Sequence, residues 1–160
     1  MSAPVIQPDL PVGARTVGDL GALSPARALA ILLLRDWLDG PPGQTRVWNG
    51  LASVIGAPAS HRTCAGLDAL VGLVREAGRR PLATHGGGCR CLGADEAWWA
   101  ELLMGDPAER EMLAALLLPA PQARLAGTFA AEAADGIRDA ARDVVLRAGP
   151  APASAAQTLH

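Results

Sequence analysis

Ser24-Pro25-Ala26-Arg27-Ala28-Leu29-Ala30-Ile31-Leu32-Leu33-Leu34-Arg35-Asp36-Trp37-Leu38-Asp39 is the stretch on which the fold turns. It opens as helices open. Serine is a favoured N-cap, and proline, with its fixed φ and missing N–H, suits the first helical position. Leu29, Ile31, Leu32, Leu33, Leu34, Trp37 and Leu38 then lie nearly all round the helix axis instead of along one stripe. A helix apolar on most faces must be covered on most faces. The stretch therefore predicts an all-α protein, an irregular bundle of about six helices around the central one at 25–39.

The flanking sequence supplies the other helices. Gly40-Pro41-Pro42-Gly43 stops the central one. Trp48, Leu51 and Ile55 recur at helical spacing over 45–55, before a turn at Gly56-Ala57-Pro58. Ser60 is placed to cap a third helix over 61–78, with the apolar stripe Cys64, Leu67, Leu70, Val71 and Val74. From 79 to 94 no helical pattern survives, and three consecutive glycines oppose one. A fourth helix starts near Asp95 and carries Trp98, Trp99, Leu102 and Leu103. Asp106-Pro107-Ala108-Glu109 starts a fifth, ending at Pro119. An alanine-rich sixth spans 121–147, with Leu125, Phe129, Ile137, Val144 and Val145 as its larger contacts. No stretch alternates with the period of a half-buried strand. Residues 1–23 read as an extended arm, 24–148 as a single helical domain and 149–160 as a disordered tail.

Composition narrows the function classes. The 160 residues contain no Lys and no Tyr, so all 14 basic residues are Arg. GC-rich coding explains that skew before any functional need for guanidinium does. The formal net charge is −2, and Arg79-Arg80 is the only basic doublet. A nucleic-acid binder needs a basic stripe, and none is visible. The amino terminus lacks the charged and apolar regions of a secretory signal, and the apolar run at 28–34 is too short for a bilayer. The expectation is a soluble, cytoplasmic protein with a protein partner or self-association, binding neither nucleic acid nor membrane. In that compartment three cysteines are free thiols or ligands rather than a disulfide framework.

The chemistry, if any, is concentrated. His61, Cys64, His85, Cys89 and Cys91 all fall within one 61–91 stretch, and only His160 among the Cys and His residues lies outside it. Thiolate and imidazole at four tetrahedral corners hold zinc. His85, Cys89 and Cys91 form an H-x3-C-x-C pattern in a glycine-rich loop that can fold closely round an ion. Cys64 or His61, three apart on one helical face, supplies the fourth ligand. Zinc is the expected metal, since an iron–sulfur cluster normally takes more cysteines than three. The main expectation is thus a small metal-binding protein acting in binding or regulation, with enzymatic activity the less favoured option.

Competing readings attach to the same residues. Cys64 lies on a core stripe, and free cysteine is among the most buried residue types. His61 at a helix start and His85 in a loop have ordinary roles open to them. Cys89 and Cys91 flank Arg90 and precede a helix start, and both surroundings favour thiolate, so a thiol-redox pair or enzyme is the first alternative. A helical subunit or scaffold without metal is the second. Anion binding by the glycines is weaker, because no phosphate-loop motif is matched. His85-Gly86-Gly87-Gly88 is similar to the oxyanion-hole stretch of lipases and esterases, but the required G-x-S-x-G elbow is missing. Asp95, Glu96 and Glu101 are candidate ligands or bases, set against a plain helix-dipole role. Trp98-Trp99 is expected to pack in the core, with a partner surface as the alternative.

Overall fold

A computed structural model describes residues 11–148; residues 1–10 and the 149–160 tail lie outside the described residues. The described residues form an all-α bundle of six helices: α1 Pro25–Leu38, α2 Pro41–Ile55, α3 Ala57–Ala77, α4 Ala94–Met104, α5 Arg110–Ala114 and α6 Ala120–Ala148. Pro25 occupies the first turn of α1 as expected, although the Ser24 side chain makes no capping bond. No helix among the described residues is long and apolar enough to cross a membrane.

Two helices begin earlier than the sequence pattern indicates, for one reason. Gly40 (φ 82°) and Gly56 (φ 80°) take the left-handed region and turn the chain, and the prolines after them open the next helix instead of closing the previous one. Ser60 is therefore inside α3, buried, with its hydroxyl on the Trp48 carbonyl, and is not the cap it was expected to be.

α1 buries Ala30, Ile31, Leu33, Leu34 and Trp37 and packs on α2, α4 and α6. It shares the centre with α6, which packs against all five other helices. Of the large residues expected to make the contacts of α6, Ile137 is buried and Phe129 packs on the core, but Leu125, Val144 and Val145 are exposed. The core face is Ala123, Ala126, Ala130, Ala133, Ile137 and Ala140, alternating by three and four. Small residues on this face let α3 approach closely. A Cβ on Gly66 would sit 2.9 Å from the Ala133 nitrogen and 3.0 Å from the Phe129 oxygen. The α3 stripe reads as expected, with Cys64, Leu67, Leu70, Val71 and Val74 all buried. Trp99 is fully buried and donates its indole N–H to the Ala30 carbonyl; Trp98 is half-buried and donates to the Leu113 carbonyl.

Strand structure, unexpected from the sequence, is confined among the described residues to a short antiparallel ribbon. β1 (Thr16–Asp19) pairs with β2 (Cys91–Gly93), Asp19 opposite Cys91 and Thr16 opposite Gly93. Four and three residues are too few to show an alternating pattern, and a register irregularity between Thr16 and Gly18 blurs it further. Through this ribbon the segment before α1 is laid against the 79–94 connection.

Candidate functional site

The connection between α3 and α4 is held by two buried carboxylates on the first turn of α4. Asp95 takes both ends of the Arg80 guanidinium and the Ala83 N–H (2.9 Å). Gly13 packs directly on the Asp95 carboxylate, where a Cβ would collide with it. Glu96, wholly buried, accepts from the backbone N–H groups of His85 (3.0 Å) and Gly93 (2.8 Å). Its main partner is Arg35 of α1, whose Nε and Nη2 reach the two carboxylate oxygens at 2.7 and 3.0 Å.

Arg35 is the organiser of the loop. Its remaining N–H groups go to three loop carbonyls: Gly86 (3.3 Å) and Cys89 (2.6 Å) from Nη1, and Cys91 (2.7 Å) from Nη2. A guanidinium has five N–H donors in a fixed fork, and here all five are used. Burial alone would raise the Glu96 pKa; the Arg35 fork and the two backbone N–H groups outweigh it and hold the carboxyl below its ordinary range.

The loop that Arg35 closes presents the two neighbouring thiols. A turn from Gly86 to Cys89 (N–H to carbonyl, 3.0 Å) delivers Cys89, and β2 begins at Cys91. The Cys89 sulfur accepts the Cys91 backbone N–H at 3.2 Å. The neighbouring Cys91 thiol does most to lower the Cys89 pKa; the Cys91 N–H and the Arg35 charge add to it. Cys91 is pushed the other way, first by the neighbouring Cys89 thiol and then by burial. Arg90, the cation expected to act on both, faces Asp19 at 3.3 Å instead.

The five candidate metal ligands do not converge. Among the described residues no group of three or more His, Cys, Asp or Glu side chains is placed to hold a metal ion. Cys89 and Cys91 are brought together, and His85 shares their loop, its Nε2 buried without a hydrogen-bond partner. Cys64 lies in the main core with Leu67 and Leu70, and burial raises its pKa. His61, one turn earlier on α3, is exposed and meets Trp48 edge-on, ring centroids 6.2 Å apart. All three cysteines are free thiols. Glu101, the third acid considered, is exposed and paired with Arg27.

Sequence reasoning missed Arg35, Arg80 and the structural roles of Asp95 and Glu96. One signal was present. A charge in the middle of a helix apolar on most sides has few directions that lead to water. Comparison of the chain with protein-family models, curated proteins and solved structures finds no match.

Proposed function

We propose that the protein is a thiol–disulfide exchange protein in which Cys89 attacks and Cys91 resolves. The observation that carries this reading is that the Cys89 sulfur accepts the Cys91 backbone N–H at 3.2 Å, in a loop whose Cys89 carbonyl is held by the Arg35 guanidinium. The thiolate is the nucleophile in such exchange, so the sulfur that accepts this N–H is the attacking one. In the first step the Cys89 thiolate attacks a substrate disulfide, one sulfur–sulfur bond forms, the substrate bond breaks, and one substrate thiolate leaves. In the second, Cys91 gives its proton to that leaving thiolate and attacks the Cys89 sulfur. The mixed disulfide breaks, the second substrate thiolate leaves, and two electrons have passed from the protein to the substrate.

The test is reaction of the reduced protein with oxidised glutathione, followed by peptide mapping. The expected product is a Cys89–Cys91 disulfide with Cys64 still reduced, and glutathione trapped on Cys89 in a Cys91→Ser variant. Equal labelling of all three cysteines, or trapping on Cys91 in a Cys89→Ser variant alone, overturns the assignment.

Zinc binding in a regulatory role is the second reading, favoured by the unpartnered His85 Nε2 in the same loop as two thiols. It is separated in the same preparation by measuring metal per chain before and after chelation. Stoichiometric zinc with masked Cys89 and Cys91 thiols supports it, and metal-free protein with reactive thiols supports exchange.

A further inference from the structure

On the side of the bundle where α1 ends, a cavity of about 550 Å³ opens between α1, the start of α2, α3 and the chain leaving α3. That volume is in the range of small-molecule sites. Its floor is apolar, with Trp37, Val71 and Leu82, and Leu38 stands exposed at its mouth. Three further observations give it chemistry.

First, its charge is lopsided. Arg75 and Arg79 line it, and among the described residues neither has a carboxylate within 4.0 Å. Arg80, also at the rim, is committed to Asp95. Asp68 is the one acid in the lining, so two uncommitted guanidiniums face one carboxylate. Second, the tryptophan in the floor has a donor to spare. The indoles of Trp98 and Trp99 are bonded to carbonyls, but the Trp37 N–H, like that of Trp48, has no acceptor among the described residues. Third, the wall of α3 carries a glycine that packing does not require. A Cβ on Gly72 would meet nothing within 4 Å, yet glycine inside a helix is destabilising relative to alanine. Its effect is to leave the cavity open.

We infer that this cavity binds a small organic anion, a carboxylate carried on an apolar body. The body lies on Trp37, Val71 and Leu82, and the carboxylate takes the Arg75 and Arg79 guanidiniums at the rim. The inference is independent of the thiol reading, since neither Cys89 nor Cys91 lines the cavity.

Calorimetric titration with 3-phenylpropanoate and octanoate, each against its neutral amide, tests it on the full chain. At least one carboxylate should bind with a Kd below about 1 mM. Its amide should bind about tenfold more weakly or worse, as loss of charge-assisted hydrogen bonds dictates. Gly72→Leu should abolish binding while keeping or raising the melting temperature, because the new side chain fills open space and relieves a helix glycine. An Arg75→Gln, Arg79→Gln double variant should weaken the carboxylate about tenfold and leave the amide unchanged. Binding by neither carboxylate, equal affinity for the amides, or unaltered binding in folded Gly72→Leu overturns the inference. Cys89→Ser should bind as the parent does, which keeps this result separate from the exchange assay.

Discussion

Arg35 combines two tasks that are usually divided between residues: it neutralises a buried carboxylate and it ties down three backbone carbonyls. Removing one partner of a buried pair leaves the other uncompensated, so Arg35→Met should lower stability by about 3–5 kcal/mol in urea unfolding. The Arg35→Met, Glu96→Leu double variant should recover part of that loss; a double variant no more stable than the single would mean that the pair is not the cause. At the neighbouring thiols the prediction concerns pH. Cys89 alkylation should titrate below the ordinary thiol value of 9.0, and Cys91→Ala should move that midpoint up by removing the neighbouring thiol that lowers it most. Rate profiles of iodoacetamide labelling, resolved by peptide, read both. Cys89 and Cys91 were legible because the sequence places them two apart among glycines. Arg35 was not, since its meaning lies in a partner 61 residues further on, which periodicity does not carry.

Among the elements, α6 inverts the usual reading of an amphipathic helix. Of its large residues only Ile137 and Phe129 join the core, and most of the contact face is alanine. The reason is distance. Helix pairs with bulky contact residues stand apart, whereas Gly66 against the Phe129–Ala133 turn requires close approach. Gly66→Ala should therefore cost about 1–3 kcal/mol by overpacking, against the gain in helix propensity that an open site would give. Thermal melts beside those of Gly72→Ala make the contrast: the same substitution on the same helix should destabilise at 66 and stabilise at 72. α4 shows a further device out of reach of sequence patterns. Arg110, buried, donates to the Leu102 and Leu103 carbonyls and so closes the end of α4 with a side chain from α5. Helix existence and apolar stripes were legible from local spacing. Helix starts after Gly40 and Gly56 were not, because glycine–proline reads equally as a stop and as a start.

For the whole molecule, the buried carboxylate of Glu96 makes acid a specific threat. Its folded pKa lies below the ordinary carboxyl value of 4.5. The contribution is therefore full above that value and is lost as pH falls through the lower, folded one. Urea midpoints should fall steeply from pH 5 toward pH 3, the acid side of an ordinary carboxylate. In Glu96→Gln they should start lower at neutral pH and fall less over the same interval. An identical acid slope in that variant would assign acid lability elsewhere. The same pair joins α1, the loop, the ribbon and α4, so its loss should be felt by all of them as one cooperative transition.

Arg35 and Glu96 also impose an order in time. During synthesis at about 5–20 residues per second, the carboxylate follows the guanidinium by about 3–12 s. Until then α1 carries a charge that has no partner on the faces it must bury, and docking it early would strand that charge in an apolar setting. The first helix made must therefore wait, open to its surroundings, for the fourth. A nascent chain halted before residue 96 should keep α1 undocked, and the bundle should close only once α4 has left the ribosome.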